Sequence, residues 1–315
     1  MRFIAKRSRL FYPDFVRDSG RRSLFQIPRL YNGEVPFTLS HAAAALPFRR
    51  FPLIPSALVI GTLAPDFEYF LLLIPMDRYG HTLRGLFILT LPVALVILWM
   101  FHNFVKRPAS MLLPDSIQRR LADHLDEFQF RGLGRFLLIV ISILVGAFTH
   151  LLWDSFTHRT GWFYHHWALL REMVHVPVLG TLPYYKLFQH ASTVLGIAIL
   201  VLWFVWWYRN TKPADHLIAG APSVSRRIAT VGVLATIACA GAVINGTLAA
   251  RGPAGHFNFR EFVVEAVVTI TALAWWELVA YGIFFQWTRP LPTQPVRVEP
   301  DSQERPEPVG KSSSF

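Results

Sequence analysis

Five apolar runs, each long enough to cross a bilayer, constrain this chain more than any other feature. They cover residues 86–105, 135–153, 191–208, 228–250 and 262–287. About 20 apolar residues in a helix cross the roughly 30 Å hydrocarbon core, because each residue adds about 1.5 Å. Only 16% of the residues are charged, whereas about 25% are charged in a typical soluble domain. The sequence therefore predicts an all-α, polytopic integral membrane helix bundle of five to six spans.

A sixth apolar run, residues 52–74, is interrupted in its middle by Pro65 and Asp66. Irregular backbone at membrane depth is tolerated only where it is buried in protein or faces water. A carboxylate at such a break is not typical of a lipid-facing helix. The run therefore predicts a broken helix, in which Asp66 is either part of a functional site or a residue that caps a turn.

Basic residues are concentrated in two of the connections between the runs. The 106–135 segment carries six lysines and arginines and the 209–227 segment carries four, whereas the 251–261 segment carries two. The positive-inside rule places the first two segments in the cytoplasm and, by alternation, residues 154–190 outside. The net charge of +11 is then explained by loops at an anionic membrane surface. No groove-sized basic face is visible, so a nucleic-acid partner is not expected.

The two ends of the chain differ from its apolar middle. Residues 1–34 are basic and irregular, and no apolar core follows closely enough for a signal peptide. They are either a cytoplasmic tail or a mis-annotated start, because a GTG codon at Val35 can also initiate translation. Residues 289–315 are rich in proline, serine and charge, which predicts a disordered C-terminal tail. The membrane domain is expected to cover residues 35–288.

Ionisable residues gather near the outer ends of the predicted spans. His150 and Asp154 are four residues apart and so share one helix face, and His81 lies just before the 86–105 run. Such groups are costly beside a span and tend to be functional. Imidazole and carboxylate groups together suit zinc best, and they also bind manganese or iron. The alternative is a structural role, because histidine near a helix C-terminus complements the helix dipole.

His158 follows Asp154 by four more residues. On a straight helix it would lie about 12 Å from His150, which is too far to share one ion. Either the chain turns near residues 155–157, or His158 acts on the ligands indirectly. The aromatic, histidine-rich segment 158–192 is either a lid over the site or an aromatic belt at the interface.

Several segments resemble the bacterial domain-of-unknown-function family 4184 in their order and spacing. They are VPFTLSHAAAALPFRR, PLIPSALVIGTLAPDFEYFL, HTLRGLF, GAFTHLLWDSFTHRTGWF and LPYYKLFQHASTVLG, and they cover roughly residues 35–210. That family usually opens with Met-Pro-Phe-Thr-Leu-Ser-His, which favours Val35 as the true first residue. The resemblance implies a multi-pass protein of the bacterial cytoplasmic (inner) membrane and no established activity.

The pattern is similar, more distantly, to inner-membrane metal-dependent hydrolases described as LexA-binding. Those proteins carry an early histidine, a Pro-Asp pair after a helix of small residues, a histidine before a span and a later His-x-x-x-Asp. A weaker similarity runs to zinc-dependent phospholipase C and related single-strand nucleases, whose full set of closely spaced ligands this chain lacks. The resemblance implies that the metal ligands are His41, Asp66, His81, His150 and Asp154.

Two alternative functions follow from these observations. The first is a metal-dependent hydrolase in the lipid bilayer that acts on a phosphoester or lipid-linked substrate, with water activated by the ion. Glu68, two residues from Asp66, is then the candidate general base, and Arg84, one turn after His81, the candidate ligand of a phosphate oxygen. The second is a non-enzymatic scaffold or a transporter with a buried polar cluster. Transport is less favoured, because no paired inverted repeat is visible.

His41 raises a conflict about the side of the membrane. It precedes Arg49 and Arg50, which favour the cytoplasmic side, whereas the other candidate ligands favour the outside. Three explanations are open: residues 37–48 dip into the bundle, the topology is inverted, or His41 is not a ligand.

Overall fold

The computed structural model describes residues 38–68, 80–125, 127–177, 180–251 and 256–288, and these residues are mainly helical. The predictions for residues 1–34 and 289–315 lie outside the described residues, as do residues 69–74 of the 52–74 run. Within the described residues the fold class is the predicted one, an all-α polytopic bundle.

The α-helices of the described residues comprise short connectors and long spans. They are α1 (Pro55–Leu63), α2 (Leu83–Leu112), α3 (Asp115–Leu121), α4 (Leu133–Thr157), α5 (Trp162–His166), α6 (Tyr184–Asn210), α7 (Val224–Ala250) and α8 (Phe259–Thr288). Among the described residues α2, α4, α6, α7 and α8 are long and apolar enough to cross a membrane. This confirms the five predicted spans and identifies a multi-pass membrane protein in a lipid bilayer environment.

Shorter elements join these helices. Two π-helical stretches, Leu86–Thr90 and Phe101–Val105, interrupt the α-helical turns of α2. An antiparallel hairpin of β1 (Met173–Val176) and β2 (Gly180–Pro183) precedes α6. The 3₁₀ helices are Thr38–Arg50, Ala64–Asp66, Ala122–His124 and Ala168–Arg171.

The predicted break after α1 is present. Pro55 is the first residue of α1, where a missing N–H group costs nothing. The helix ends at Leu63, and the 3₁₀ turn Ala64–Asp66 follows with Pro65 inside it. Proline cannot donate to the preceding turn, so it favours such an ending. Asp66 is completely buried at this break.

The helices α1 and α4 run parallel and pack closely. Leu58 lies against Gly146, where a Cβ atom would be 2.3 Å from the Leu58 carbonyl oxygen. One turn further along both helices, the Thr62 carbonyl oxygen lies 2.7 Å from His150 Nδ1. Small residues allow this close approach between helices in a membrane, where burial from water does not drive association. The contact sets the register that brings the break after α1 next to the end of α4.

A hydrophobic core joins α1, α2 and α4 beside this contact. Its members are aliphatic side chains that are shielded from all sides, which favours dispersion contacts at close packing density. They are Ala57, Ile60, Ala64, Ala94, Ile97, Leu98, Ile139 and Ile143.

The 3₁₀ helix Thr38–Arg50, which carries His41, lies along α6. Ser40 lies against Gly196 in the middle of α6. The Arg49 guanidinium lies 5.1 Å from the ring of Trp206, in the last turns of α6. Thirteen residues of 3₁₀ helix cover about 26 Å at about 2.0 Å per residue. The segment therefore enters the bundle, as the first of the three explanations requires.

The two basic connections lie at one end of the bundle. Arg120 Nε donates to the Tyr208 carbonyl oxygen at 2.7 Å, which joins the α2–α4 connection to the end of α6. Arg227 at the start of α7 donates to the Leu113 carbonyl oxygen at 2.8 Å. This basic end is opposite to the end of α4 that carries His150. That the basic end faces the cytoplasm stays a prediction, which reporter fusions in either connection test.

Alanine at Gly146 tests the α1–α4 contact, and alanine at Gly232 is the matched control. The new methyl group at Gly146 meets the Leu58 carbonyl oxygen, so we expect a loss of about 1–3 kcal/mol of stability. Gly232, within α7, has open space at the same position, and alanine there favours the helix by roughly 0.5–1 kcal/mol. The measurement is the apparent Tm of purified protein in detergent, followed by tryptophan fluorescence. An unchanged Tm for Gly146→Ala would contradict the close packing.

Candidate metal centre

Four ionisable side chains from three separate parts of the chain converge at the end of the bundle opposite the basic end. Each offers one ligand atom, and these four atoms all lie within 4.8 Å of one another. They come from the turn after α1, from the residue before the capping residue of α2, and from α4. They are Asp66, His81, His150 and Asp154.

Asp66 is oriented by a threonine from the 3₁₀ helix Thr38–Arg50. Thr38 Oγ1 donates a hydrogen bond to Asp66 Oδ2 at 2.6 Å, and both side chains are buried. The second carboxylate oxygen, Oδ1, faces His81 and His150 instead. Because one oxygen is held by the hydroxyl group, the other is kept available in a fixed direction.

His150 is oriented by the main chain of α1. Its Nδ1 atom lies 2.7 Å from the Thr62 carbonyl oxygen. A carbonyl oxygen only accepts hydrogen bonds, so this contact places the proton on Nδ1. In the neutral imidazole Nε2 then carries the lone pair, and this atom points toward Asp66 and Asp154. This is the tautomer that binds a metal ion through Nε2.

His81 reaches the cluster from the start of α2. Gly80 lies against the turn of Asp66, where a Cβ atom would be 2.3 Å from the Pro65 carbonyl oxygen. Thr82 caps α2, because its Oγ1 accepts the Gly85 N–H at 2.9 Å. The side chain of His81 is 20% exposed, whereas those of Asp66 and His150 are 0% exposed. His81 therefore marks the accessible side of the cluster.

Four N···O distances within the cluster are close to the ligand separations around one ion, and the remaining pairs of ligand atoms lie within 4.8 Å. Asp154 Oδ2 lies 3.0 Å from His150 Nε2 and 3.1 Å from His81 Nε2. Asp66 Oδ1 lies 3.5 Å and 3.4 Å from the same two nitrogen atoms. Zinc bonds of about 2.0–2.1 Å give tetrahedral edges of about 3.3 Å. The four side chains can therefore hold a metal ion with little movement.

Several of these atoms are buried without a hydrogen-bond partner among the described residues. They are Asp66 Oδ1, His150 Nε2 and Asp154 Oδ1. Buried polar atoms are nearly always paired, because an unpaired one costs free energy. A cation between the carboxylates and the imidazoles would satisfy the first two of these atoms at once.

His41 lies beside the four-residue cluster, and its Nε2 atom faces Asp154 Oδ1, whereas His81 and His150 face Asp154 Oδ2. The ring of His41 stacks on that of His150, with the centroids 4.0 Å apart and an angle of 24° between the planes. Its Nε2 atom lies 3.5 Å from Asp154 Oδ1, the oxygen that is turned away from His81 and His150. Burial lowers the pKa of His41 to about 4, so the imidazole is neutral near pH 7. The neutral form is the one that binds metal.

His158 also approaches Asp154, which lies four residues before it. The helix α4 ends at Thr157, and the backbone of His158 is extended, with φ −126° and ψ 148°. His158 Nδ1 lies 3.4 Å from Asp154 Oδ1, and Nε2 lies 3.1 Å from the side-chain amide of Gln189 on α6. Residues 155–157 are still helical, so the predicted turn does not occur there, and His158 contacts Asp154 from outside the four-residue cluster.

Glu68 and Arg84 lie next to the cluster rather than in it. Glu68 Oε2 accepts the Gly80 N–H at 3.3 Å, which connects the turn after α1 to the residue before His81. Arg84 is exposed in the first turn of α2. Their roles as general base and phosphate ligand stay predictions.

The aromatic segment after α4 lies at the same end of the bundle as the cluster. Phe156 stacks on Phe163 with the ring centroids 3.8 Å apart, which holds α5 against the end of α4. Trp162 and Trp167 are exposed on this segment. Exposed indole rings at a helix end are typical of an aromatic belt at the membrane interface.

Some of the residues that shape the cluster had no signal in the sequence. Thr62 acts through its carbonyl oxygen, which every residue has, and Gln189 lies on a different span. Thr38 is three residues before His41, in the segment that carries the family resemblance. Its hydroxyl group could have been considered as a partner of a carboxylate, but the partner lies 28 residues away.

A family model described as "Domain of unknown function (DUF4184)" matches residues 35–283 of the chain. The match includes all four residues of the cluster, together with His41 and His158. No curated protein and no solved structure matches the chain.

Replacing Thr38 by valine tests how the carboxylate of Asp66 is held. Valine has nearly the same shape but leaves Asp66 Oδ2 without its donor, which costs about 1–3 kcal/mol. We therefore expect a lower apparent Tm of the purified protein after treatment with a chelator. Thr38→Ser keeps the hydroxyl group and is the matched control, with a smaller decrease. Equal decreases for both variants would show that the hydrogen bond does not contribute.

Proposed function

Because the chain belongs to the DUF4184 family, whose function is unknown, we propose its function from the cluster itself. The protein is a metal-dependent hydrolase of the bacterial cytoplasmic (inner) membrane that acts on a phosphoester or lipid-linked substrate. The observation that carries this proposal is the largely buried set of two imidazoles and two carboxylates whose ligand atoms all lie within 4.8 Å of one another.

Zinc is the first choice for the ion, and manganese or iron are the alternatives. Mixed imidazole and carboxylate ligands suit all three, and the edge lengths of the cluster fit zinc. A bound divalent ion lowers the pKa of a coordinated water toward 7 and polarises a phosphoryl oxygen. The protein positions the ligands through Thr38 and the Thr62 carbonyl oxygen, so that little reorganisation is needed.

A lipid-linked substrate is favoured by the surface around His81. On this accessible side of the cluster, the first turns of α2 carry exposed apolar side chains next to one positively charged side chain. They are Leu83, Phe87 and Ile88, with Arg84 beside them. An acyl chain can lie along the apolar side chains while Arg84 binds a phosphate oxygen. The polar headgroup then lies near His81, and Glu68 is close enough to the same turn to take up a proton.

Metal content tests the proposal directly. We expect protein purified in detergent and incubated with zinc or manganese to hold at least one tightly bound ion per chain, measured by elemental mass spectrometry. Asp66→Ala and His150→Ala remove ligands from the buried cluster, so each is expected to lose an equivalent of metal. His190→Ala is the matched control, because His190 is exposed on α6. A folded wild-type protein that stays free of metal would refute the proposal.

Hydrolysis is the second test. We expect metal-dependent release of phosphate from a long-chain phosphatidate in mixed micelles, loss of that activity with a chelator, and recovery with zinc or manganese. Arg84→Gln should raise KM about tenfold, because one charge-assisted hydrogen bond contributes about 1.5 kcal/mol. Arg84→Lys keeps the positive charge and should raise KM less. Metal-loaded protein that hydrolyses neither this lipid nor p-nitrophenyl phosphate would favour a structural role of the ion.

A further inference from the structure

We propose that the centre holds two metal ions, bridged by Asp154, with the second ion bound by His41 and His158. This inference rests on the proposed function, because it assumes that the four-residue cluster holds the first ion. It assigns to the second ion two histidines that do not belong to that cluster.

The two oxygen atoms of Asp154 face different pairs of histidines. Oδ2 lies 3.0 Å from His150 Nε2 and 3.1 Å from His81 Nε2, within the four-residue cluster. Oδ1 lies 3.5 Å from His41 Nε2 and 3.4 Å from His158 Nδ1. A carboxylate whose two oxygens each meet two imidazoles has the arrangement of a bridging ligand.

The second oxygen is buried, and its imidazole contacts are longer than hydrogen bonds. Asp154 is 5% exposed, and its Oδ1 has no hydrogen-bond partner among the described residues. The distances from Oδ1 to His41 and His158 are longer than the 2.7–3.2 Å of ordinary N–H···O hydrogen bonds. They equal the longer edges of the first cluster, as expected for ligands of one ion that are not bonded to each other. An ion beside Oδ1 would give this atom the partner that it lacks.

The other contacts of His158 are compatible with metal binding through Nδ1. Nε2 lies 3.1 Å from the side-chain amide of Gln189. Rotating this amide by 180° exchanges its nitrogen and oxygen atoms, so that its carbonyl oxygen accepts a hydrogen bond from an Nε2–H group. Nδ1 then keeps its lone pair. The Thr157 hydroxyl group, 3.0 Å from Nδ1, has a second acceptor in the Trp153 carbonyl oxygen at 3.4 Å. It therefore stays paired when Nδ1 binds an ion.

The two positions differ in how completely the protein surrounds them. The first has four protein ligands, Asp66, His81, His150 and Asp154, which is the number found in closed zinc sites. The second has three, His41, Asp154 and His158, which leaves a coordination position for water or substrate. Ions in bridged pairs lie about 3.5–4 Å apart and can contact both the attacking and the leaving oxygen of a phosphoester. The second position is therefore the one that we assign to the reacting water.

The net charge of the centre with two ions is consistent with a phosphate substrate. Asp66 and Asp154 contribute two negative charges, and the histidines are neutral when they bind metal. Two divalent ions would leave the centre with an excess of two positive charges. Hydroxide and a phosphate group are the ligands that neutralise such an excess, whereas a single divalent ion would be neutralised by the two carboxylates alone. Filling both positions thus favours an anionic substrate more strongly than one ion does.

Metal stoichiometry tests the second position. At saturating zinc, we expect native mass spectrometry to detect two ions per wild-type chain, one ion in His41→Ala and in His158→Ala, and none in Asp154→Ala. His190→Ala is the control and should keep two. His41→Gln and His158→Gln repeat the test with side chains closer in size, and each variant is checked for an unchanged elution volume and Tm.

The outcomes separate this inference from the proposed function. A wild-type chain with one ion, which His41→Ala and His158→Ala retain, would refute the second position and leave the first intact. A wild-type chain without any ion would refute both. With manganese, a bridged pair gives an exchange-coupled electron paramagnetic resonance spectrum, and His41→Ala should convert it to the spectrum of isolated ions. Uncoupled spectra from a wild-type chain that holds two ions would refute bridging by Asp154.

Discussion

The close parallel contact between α1 and α4 is the constraint on which the rest of the structure depends. Because Gly146 has no side chain, the two helices approach until the Leu58 carbonyl oxygen lies where a Cβ atom of residue 146 would be. The same register places the Thr62 carbonyl oxygen on His150 Nδ1 and the buried Asp66 beside its Nε2. A shift of one residue along α1 would turn these groups by about 100° around the helix, because a helix has 3.6 residues per turn. The geometry of the cluster is therefore a consequence of helix packing.

Buried carboxylates explain why the cluster is unlike an ordinary membrane core. An isolated ionised side chain inside a helix bundle costs several kcal/mol or more, and such residues are nearly always paired or bind metal. Asp66 and Asp154 are both buried, and their nearest partners include imidazoles that have their own orienting contacts. Thr38 further fixes one oxygen of Asp66. The packing of the bundle therefore holds these groups close together, in an arrangement that could hold a metal ion.

Sequence patterns were sufficient to predict the five long spans and part of the four-residue cluster. The lengths of the apolar runs predicted all five long helices, because crossing a bilayer fixes the minimum length of a helix. The four-residue spacing of His150 and Asp154 predicted that they share a helix face. The side of the bundle on which His41 lies was undecided, because a long 3₁₀ helix beside α6 has no signal in charge or hydropathy. The position of His158 was undecided for a similar reason, since nothing in the spacing shows that α4 ends at Thr157.

The sequence by itself determined the class of fold, the number of long spans and the residue types that can bind a metal. These follow from local properties: apolar length, charge distribution and side-chain chemistry. Only the tertiary structure decided which oxygen of Asp154 faces which histidine, and which main-chain carbonyl oxygen orients His150. Apart from the contacts of Asp154 with His150 and His158, those relations join residues more than 70 positions apart, such as His81 and Asp154. They depend on helix register and packing, which are set by contacts between helices rather than by the sequence within any one helix.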